Sequence, residues 1–254
     1  MGIQIIGEEV PVRYDAALVF DRKGAYIFRK IEVKTETQIK NPSNWALVVN
    51  GKLHNLEARY AISMKQSLNG KDFYICNEKA DEKELFFPSA RIFIPHYVQI
   101  NKALRRESAA YDASGNILTE RKLQTYANRL NHNCHIWLND KFKKGDGEFG
   151  LDIISAVGFS NGKIIMAREP LEGCLEKECW ADLESVNRQG LPTKKSPIKG
   201  YEPGKSVYFS RPEGNYVARF IAYSDRADLS CGRGPTYSDA RLGVFLCAKI
   251  SEEK

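Results

Sequence analysis

Near its C-terminus the chain carries ARFIAYSDRADLSCGRGPTYSDARLGVFLCAKI, from Ala218 to Ile250. Two phases of alternation meet inside it. Phe220, Ala222 and Ser224 form a small or apolar set, with Arg219, Ile221, Tyr223 and Asp225 on the opposite side. After that the compact set moves to Ala227, Leu229 and Cys231, and Arg226, Asp228, Ser230 and Gly232 point the other way. Strand side chains repeat every two residues, so a move from even to odd numbers requires a turn or bulge near Asp225-Arg226. GRGPTYSDAR then reads as a loop with glycine freedom and one rigid proline, and LGVFLCA reads as a strand buried on both faces. Any amphipathic hairpin alternates in this way; what stands out is a compact inward set beside an outward set of mixed chemistry.

Composition sharpens the point. Lys, Glu, Gln, Met and Trp make up roughly a fifth of the whole chain, yet none occurs from Arg219 to Arg241. The exposed side of an ordinary strand carries Lys and Glu. Here the outward positions use Ile, Tyr, Asp, Arg, Ser, Gly and Thr. Each of those can be encoded by changing only the adenines of an AAC or AAT codon, and the five missing residue types cannot.

The rest of the chain sets the frame. It has 254 residues, 43% hydrophobic and 28% charged, which is enough for one large domain with a real core. The net charge of +6 comes from 38 basic against 32 acidic residues, a mixed surface and not a nucleic-acid footprint. The basic clusters Lys141-Phe142-Lys143-Lys144, Arg105-Arg106 and Lys194-Lys195 are expected in solvated loops. No apolar run approaches a membrane span, and MGIQIIGEEVPVRYD lacks the basic start of a signal peptide.

Along the chain, AALVF, AYIFRKIEVKT, WALVV, ARYAISM, DFYI and ARIFI predict a strand-rich first hundred residues, with hairpin turns at Asn50-Gly51 and Asn69-Gly70. Leu123, Ala127 and Leu130, with Tyr126 alongside, predict a helix after Thr119. Cys179, Leu183 and Val186 predict a second helix over 175–190, and a weaker one covers 97–111. GLDIISAVGF and KIIMARE flank Ser160-Asn161-Gly162 as a hairpin. Strands, helices and more strands make an α+β fold with mixed or antiparallel sheets and two main helices.

Chemical motifs are sparse. There is no phosphate loop, GxSxG or HExxH. Asp146 and Glu148 in GDGEFG read as a polar turn, and HNCH, with His132, Cys134 and His135, lacks a second ligand pair at zinc spacing. His54 and His96 have no nucleophile beside them in sequence. The six cysteines are expected mostly as free buried thiols. No cofactor, metal or catalytic residue is assigned. Two other function classes remain open: an enzyme, and a nucleic-acid binder using the basic surplus.

The codon restriction and the inward residues resemble the variable region of diversity-generating retroelement variable proteins, most closely the archaeal ones. LEGCLEKECWADLESVNRQGLPTKKS and YEPGKSVYF look like the same group, so the resemblance covers roughly the last ninety residues. In such systems a reverse transcriptase copies a template with adenine-specific errors and rewrites the 3′ end of the target gene. The resemblance implies a single C-type lectin domain over 1–254, β-rich over about 1–100, with a variable ligand-binding region at about 219–241. It implies ligand-contacting variable positions at Ile221, Tyr223, Asp225, Arg226, Asp228, Ser230, Gly232, Arg233, Gly234, Thr236, Asp239 and Arg241. Phe220, Ala222, Ala227, Leu229, Cys231, Pro235, Leu242, Gly243 and Val244 would be scaffold. The implied partner is a macromolecule, a protein on another cell or virus surface, with no specific nucleic acid. The chain lacks the glycine- and tryptophan-rich signature of bacterial members. It also lacks the catalytic cysteine arrangement of formylglycine-generating enzymes, which share the fold and form the enzyme alternative.

Overall fold

The computed structural model describes residues 41–48, 59–160 and 163–250, together with the backbone of three short strands nearer the N-terminus. Those strands are β1 (Gln4–Ile5), β2 (Leu18–Phe20) and β3 (Tyr26–Phe28). The fold is α+β. After β4 (Trp45–Leu47) and β5 (Arg59–Ser67) come three helices in succession: α1 (Phe73–Asp81), α2 (Ala90–Leu104) and α3 (Glu120–His132). Strands then follow to the end: β6 (Cys134–Lys144), β7 (Leu151–Ser160), β8 (Lys163–Pro170), β9 (Cys179–Asp182), β10 (Ser206–Ser210), β11 (Val217–Ala222), β12 (Ala227–Arg233) and β13 (Val244–Ile250).

The principal sheet has eight strands in the order β1-β8-β7-β6-β11-β12-β10-β9. Its neighbours are antiparallel except β10 and β12, which run parallel. A second sheet, β13-β5-β4, takes the C-terminal strand away from its sequence neighbours. Two main-chain bonds stitch the sheets together: Trp137 N–H donates to Gly243 O at 2.9 Å, and Gly243 N–H to His135 O at 3.0 Å.

Helix α2 explains the inward phase of the C-terminal hairpin. Phe93 and Tyr97, one turn apart, both lie against Phe220, with ring centroids 5.0 and 4.9 Å away. Phe220, Ala222, Ala227, Leu229 and Cys231 are all buried in the same core. Helix α3 brings Tyr126, Ala127 and Leu130 down on the same side, as its spacing predicts, with Thr119 at the N-cap position. His96 and Tyr126 join the two helices through a 2.9 Å bond between Nε2 and the phenol oxygen. On the opposite side of β6, a smaller cluster gathers Trp137, Phe73, Phe87 and Val217 beneath α1 and β13.

A buried carboxylate sets where α2 begins. Asp140, from β6, accepts the Ala90 N–H at 2.6 Å and the Ser155 hydroxyl at 2.5 Å. The side chain of Ser89 makes no capping bond, so Asp140 satisfies one of the orphan donors of the helix start. Burial pushes its carboxyl up to about 6.

Several expectations fail, each for a local reason. DFYI and ARIFI are helical, not strands; they open α1 and α2. In α1 the Asp72 side chain accepts the Ile75 N–H at 2.8 Å, a capping bond that outweighs the β-favouring aromatic run. In α2 the β-branched Ile92 and Ile94 and the interior Pro95 mask an almost fully buried helix; the helix expected over 97–111 is its second half, ending at Leu104. Asn69-Gly70 turns β5 into α1 and not into a second strand. Asn50-Gly51 lies outside the described residues. The cluster at Lys141–Lys144 belongs to β6 and not to a loop.

The helix expected over 175–190 does not exist. Asp182 accepts the Glu184 N–H and the Ser185 hydroxyl, and the Asn187 side chain accepts the Gln189 and Leu191 N–H groups. These local bonds offer the backbone turns in place of a helix. What remains is the short strand β9, which pairs with β10. Gly190 then crosses α2 with a φ of +81°, and a Cβ there would sit 2.3 Å from the Ala90 carbonyl carbon.

Strands β7 and β8 pair antiparallel as expected, up to Ser160 opposite Lys163; Asn161-Gly162 of the expected turn lie outside the described residues. Among the described residues no helix is long and apolar enough to cross a membrane.

Candidate functional site

The outward face of β12 and the loop after it form the candidate site. Strand β12 alternates as its sequence predicts: Ala227, Leu229 and Cys231 are buried, while Asp228, Ser230 and Gly232 are half-exposed. The change of phase is a tight hairpin turn, Tyr223–Arg226, closed by the Tyr223 N–H donating to Arg226 O at 2.7 Å. Ala222 then pairs with Ala227, so both strands keep their apolar sets on the α2 side.

A bulge adds to the outward side. Val217 pairs with Arg233, but Arg219 pairs with Ser230, so Ala218 alone of β11 faces Cys231 and Gly232 of β12. The extra residue reverses the phase and turns Arg233 toward Arg219. Both guanidinium groups lie against one ring, Tyr237, at 4.7 Å for Arg233 and 6.0 Å for Arg219. At the far edge Arg226 covers the Tyr208 ring at 4.8 Å and pairs with Asp228 at 2.7 Å. Trp180 meets Tyr208 edge to face at 5.7 Å. On the β6 side His135 meets Tyr223 in the same way at 5.0 Å. Burial and the nearby Arg241 charge push the His135 imidazole down, which favours its neutral form. The result is a row of arginines and aromatic rings, side chains that supply contact area with directed donors.

The loop from Gly234 to Gly243 is held by its backbone. Phe73 N–H donates to Pro235 O at 3.0 Å, and Gly70 N–H donates to Leu242 O at 2.9 Å. The Gln66 side chain donates to Arg241 O at 2.6 Å and to His135 O at 3.0 Å, joining the loop to β6. The Asp239 carboxylate accepts the Arg241 N–H at 2.9 Å and its Nε at 3.5 Å. Gln66, Gly70 and Phe73 therefore fix the loop through main-chain atoms and leave the side chains of Thr236, Tyr237 and Ser238 exposed.

Glycines divide the same way. A Cβ built on Gly234 meets nothing within 4 Å, and one on Gly232 meets only the Glu213 side chain at 3.6 Å or beyond. A Cβ on Gly243 would lie 2.3 Å from Asn69 Oδ1 and 2.4 Å from Ser67 O. The first two positions have room for a side chain, whereas the third is closed by backbone.

Of the twelve positions expected to contact ligand, Tyr223, Asp225, Arg226, Thr236 and Arg241 are exposed. Asp228, Ser230, Gly232, Arg233, Gly234 and Asp239 are half-buried. Ile221 departs from the expectation: it is 7% exposed. It lies in register between His135 and Asp228 on strands that flank it on both sides, which covers it. Ser224 also departs, since it sits exposed in the turn and does not join the inward set. Pro235, expected as scaffold, is half-buried and contributes its carbonyl to the anchoring.

The expected positions omit Arg219, Tyr237, Tyr208 and His135, which meet them in space, and Trp180, which backs Tyr208. Arg219 stands in the outward alternation and Tyr237 lies between two chosen positions, so both were within reach of the sequence. Tyr208, Trp180 and His135 come from strands whose neighbourhood only the sheet order reveals.

All six cysteines are free. Burial drives Cys134, Cys231 and Cys247 far from thiolate formation. Among the described residues no three His, Cys, Asp or Glu side chains gather as a metal site. Comparison of the chain with protein-family models, with curated proteins and with solved structures found no match.

Proposed function

We propose that the chain is a ligand-binding protein and not an enzyme, with a diversified outward face carried on a C-type-lectin-like scaffold. The ligand is a macromolecule, a protein on another cell or virus surface. The diversification is the adenine-directed rewriting that the codon composition of Arg219–Arg241 suggests. One observation carries the reading: the binding loop is anchored by main-chain atoms, so its outward side chains can change without releasing it. The room at Gly232 and Gly234, against the closed position at Gly243, supports the same division between variable and fixed residues. Tyrosine, arginine, serine and glycine on a pinned loop are the components of an adaptable protein-binding surface. Exposed substitutions away from packed features change stability by about 0.5 kcal/mol or less, so one scaffold can host many versions.

Sequencing of the DNA around the gene tests this. The expected result is a second, adenine-rich near-copy of the Arg219–Arg241 coding segment beside a reverse transcriptase gene. A complete genome with neither would overturn the reading.

A further inference from the structure

Four arginines sit on the outward face or its rim, and they differ in their partners. Arg226 is paired with Asp228 at 2.7 Å, and Arg241 with Asp239 at 3.5 Å. Arg219 and Arg233 have no carboxylate within ion-pair distance among the described residues. Each keeps its Nε shut off from water and without a hydrogen-bond partner. An orphaned donor of this kind is costly, more so on a charged group. The two cations also repel one another: burial first, then the charge of Arg233, pushes the Arg219 guanidinium below its ordinary range. Asp228 is the carboxylate whose charge acts on Arg219, and it is already engaged by Arg226. The Tyr237 ring between them offers a flat wall with a negative face but no full charge.

We infer that Arg219 and Arg233, with Tyr237 as a wall, form a seat for a carboxylate of a protein ligand, such as an aspartate or glutamate side chain. The inference rests on the proposed binding role of this face and names what that face recognises. A carboxylate drawing either guanidinium round meets a planar fork through Nε and Nη, the geometry in which arginine binds two oxygens at once. It satisfies one orphaned donor and its charge offsets the repulsion between the two cations. The seat lies beside the rings of Tyr223 and Tyr237, which are 38% and 37% exposed and flank it with contact area.

The direct test follows the arginine Nε–Hε signals of the full, isotope-labelled chain by NMR. The probe is acetyl-triglutamate amide, with acetyl-triglutamine amide and inorganic phosphate as controls. The glutamate peptide should shift the Arg219 and Arg233 signals saturably and leave those of Arg226 and Arg241 nearly still, and the glutamine peptide should shift none. Arg233→Gln should weaken the titration roughly tenfold or more, and Arg226→Gln should change it by about twofold at most. The wild-type titration needs no variant to fold. Equal shifts at all four arginines, a phosphate response as strong as that to the peptide, or no saturable shift would overturn the seat. These outcomes are separate from the genomic test. A failed titration beside an adenine-rich near-copy removes the carboxylate seat and keeps the binding face. A successful titration without the near-copy keeps the seat and removes the diversification.

Discussion

The two faces of β11 and β12 are made from alternate residues of the same two strands, yet they are held by different forces. On the inward side Phe220, Ala222, Ala227, Leu229 and Cys231 are packed against α2 and against one another. Each is fixed by its own side chain. On the outward side the loop is fixed by the carbonyls of Pro235, Arg241 and Leu242, which any residue possesses, with the buried Leu242 side chain as a further anchor at its end. A chain that must change one surface and keep its fold can do so only where position is set by the backbone. The contrast predicts large effects on one face and small ones on the other.

Removing the ring of Phe220, which fills the space beneath Phe93 and Tyr97, should have the largest effect. Phe220→Ala should destabilise by about 3–5 kcal/mol, read from the denaturant midpoint. Gly243→Ala should belong to the same severe class, since its new methyl has nowhere to go between Asn69 and Ser67. A mild outcome for either would mean that the inward face is not the fixed one.

The buried ionisable groups on the α2 side give the contrast a pH signature. Burial pushes His96 down to about 3 from an ordinary 6.5. Its contribution is therefore complete above pH 6.5 and is lost as the pH falls toward 3. Asp140 works the other way, being raised from 3.8 to about 6. Its contribution is complete below pH 3.8 and is lost as the pH rises through 6. Between pH 6 and 4 the two changes oppose one another; below pH 3.8, where Asp140 gains no more, stability should fall toward pH 3. His96→Gln should flatten that fall. Asp140→Asn can still accept from Ala90 N–H and donate to Ser155, and it should gain relative to wild type between pH 4 and 7 by up to about 3 kcal/mol. Parallel stability curves for wild type and both variants would contradict these assignments.

The anchor of the outward loop should matter less for folding and more for order. Gln66→Ala removes bonds to Arg241 O and His135 O and should destabilise by about 1–2 kcal/mol. Amide exchange should speed up from Gly234 to Arg241 and stay unchanged in β12. Uniform acceleration across both would show that the loop has no anchor of its own. Smallest of all, Gly234→Ser and Ser230→Ala should stay within about 0.5 kcal/mol of wild type.

The sequence makes the outward and inward sets of the hairpin legible because alternation with a period of two needs only neighbouring residues. It shows α3 for the same reason, through Leu123, Ala127 and Leu130. It hides α2, where the helix is buried nearly all round and Ile92, Ile94 and Pro95 argue for a strand. It also hides the turns that replace a helix at 175–190, since Asp182 and Asn187 act through side-chain bonds that periodicity does not see. The site was half legible. Tyr223, Arg226, Asp228 and Ser230 follow from the strand pattern. Gln66, Tyr208 and Trp180 depend on which strands become neighbours, a long-range outcome. Ile221 shows the limit of alternation: a residue can point outward from one strand and still be covered by the strands on either side.

The central claim is that position on the outward face is set by the backbone and on the inward face by side chains. It is tested most directly by randomising two sets of codons in parallel and measuring the fraction of variants that stay folded under protease challenge. One set is Asp228, Ser230, Gly232, Gly234 and Thr236, and the other is Phe220, Ala222, Ala227, Leu229 and Cys231. The outward library should remain mostly folded, and the inward library should collapse to the few members that restore apolar volume. Similar survival in both libraries would contradict the account.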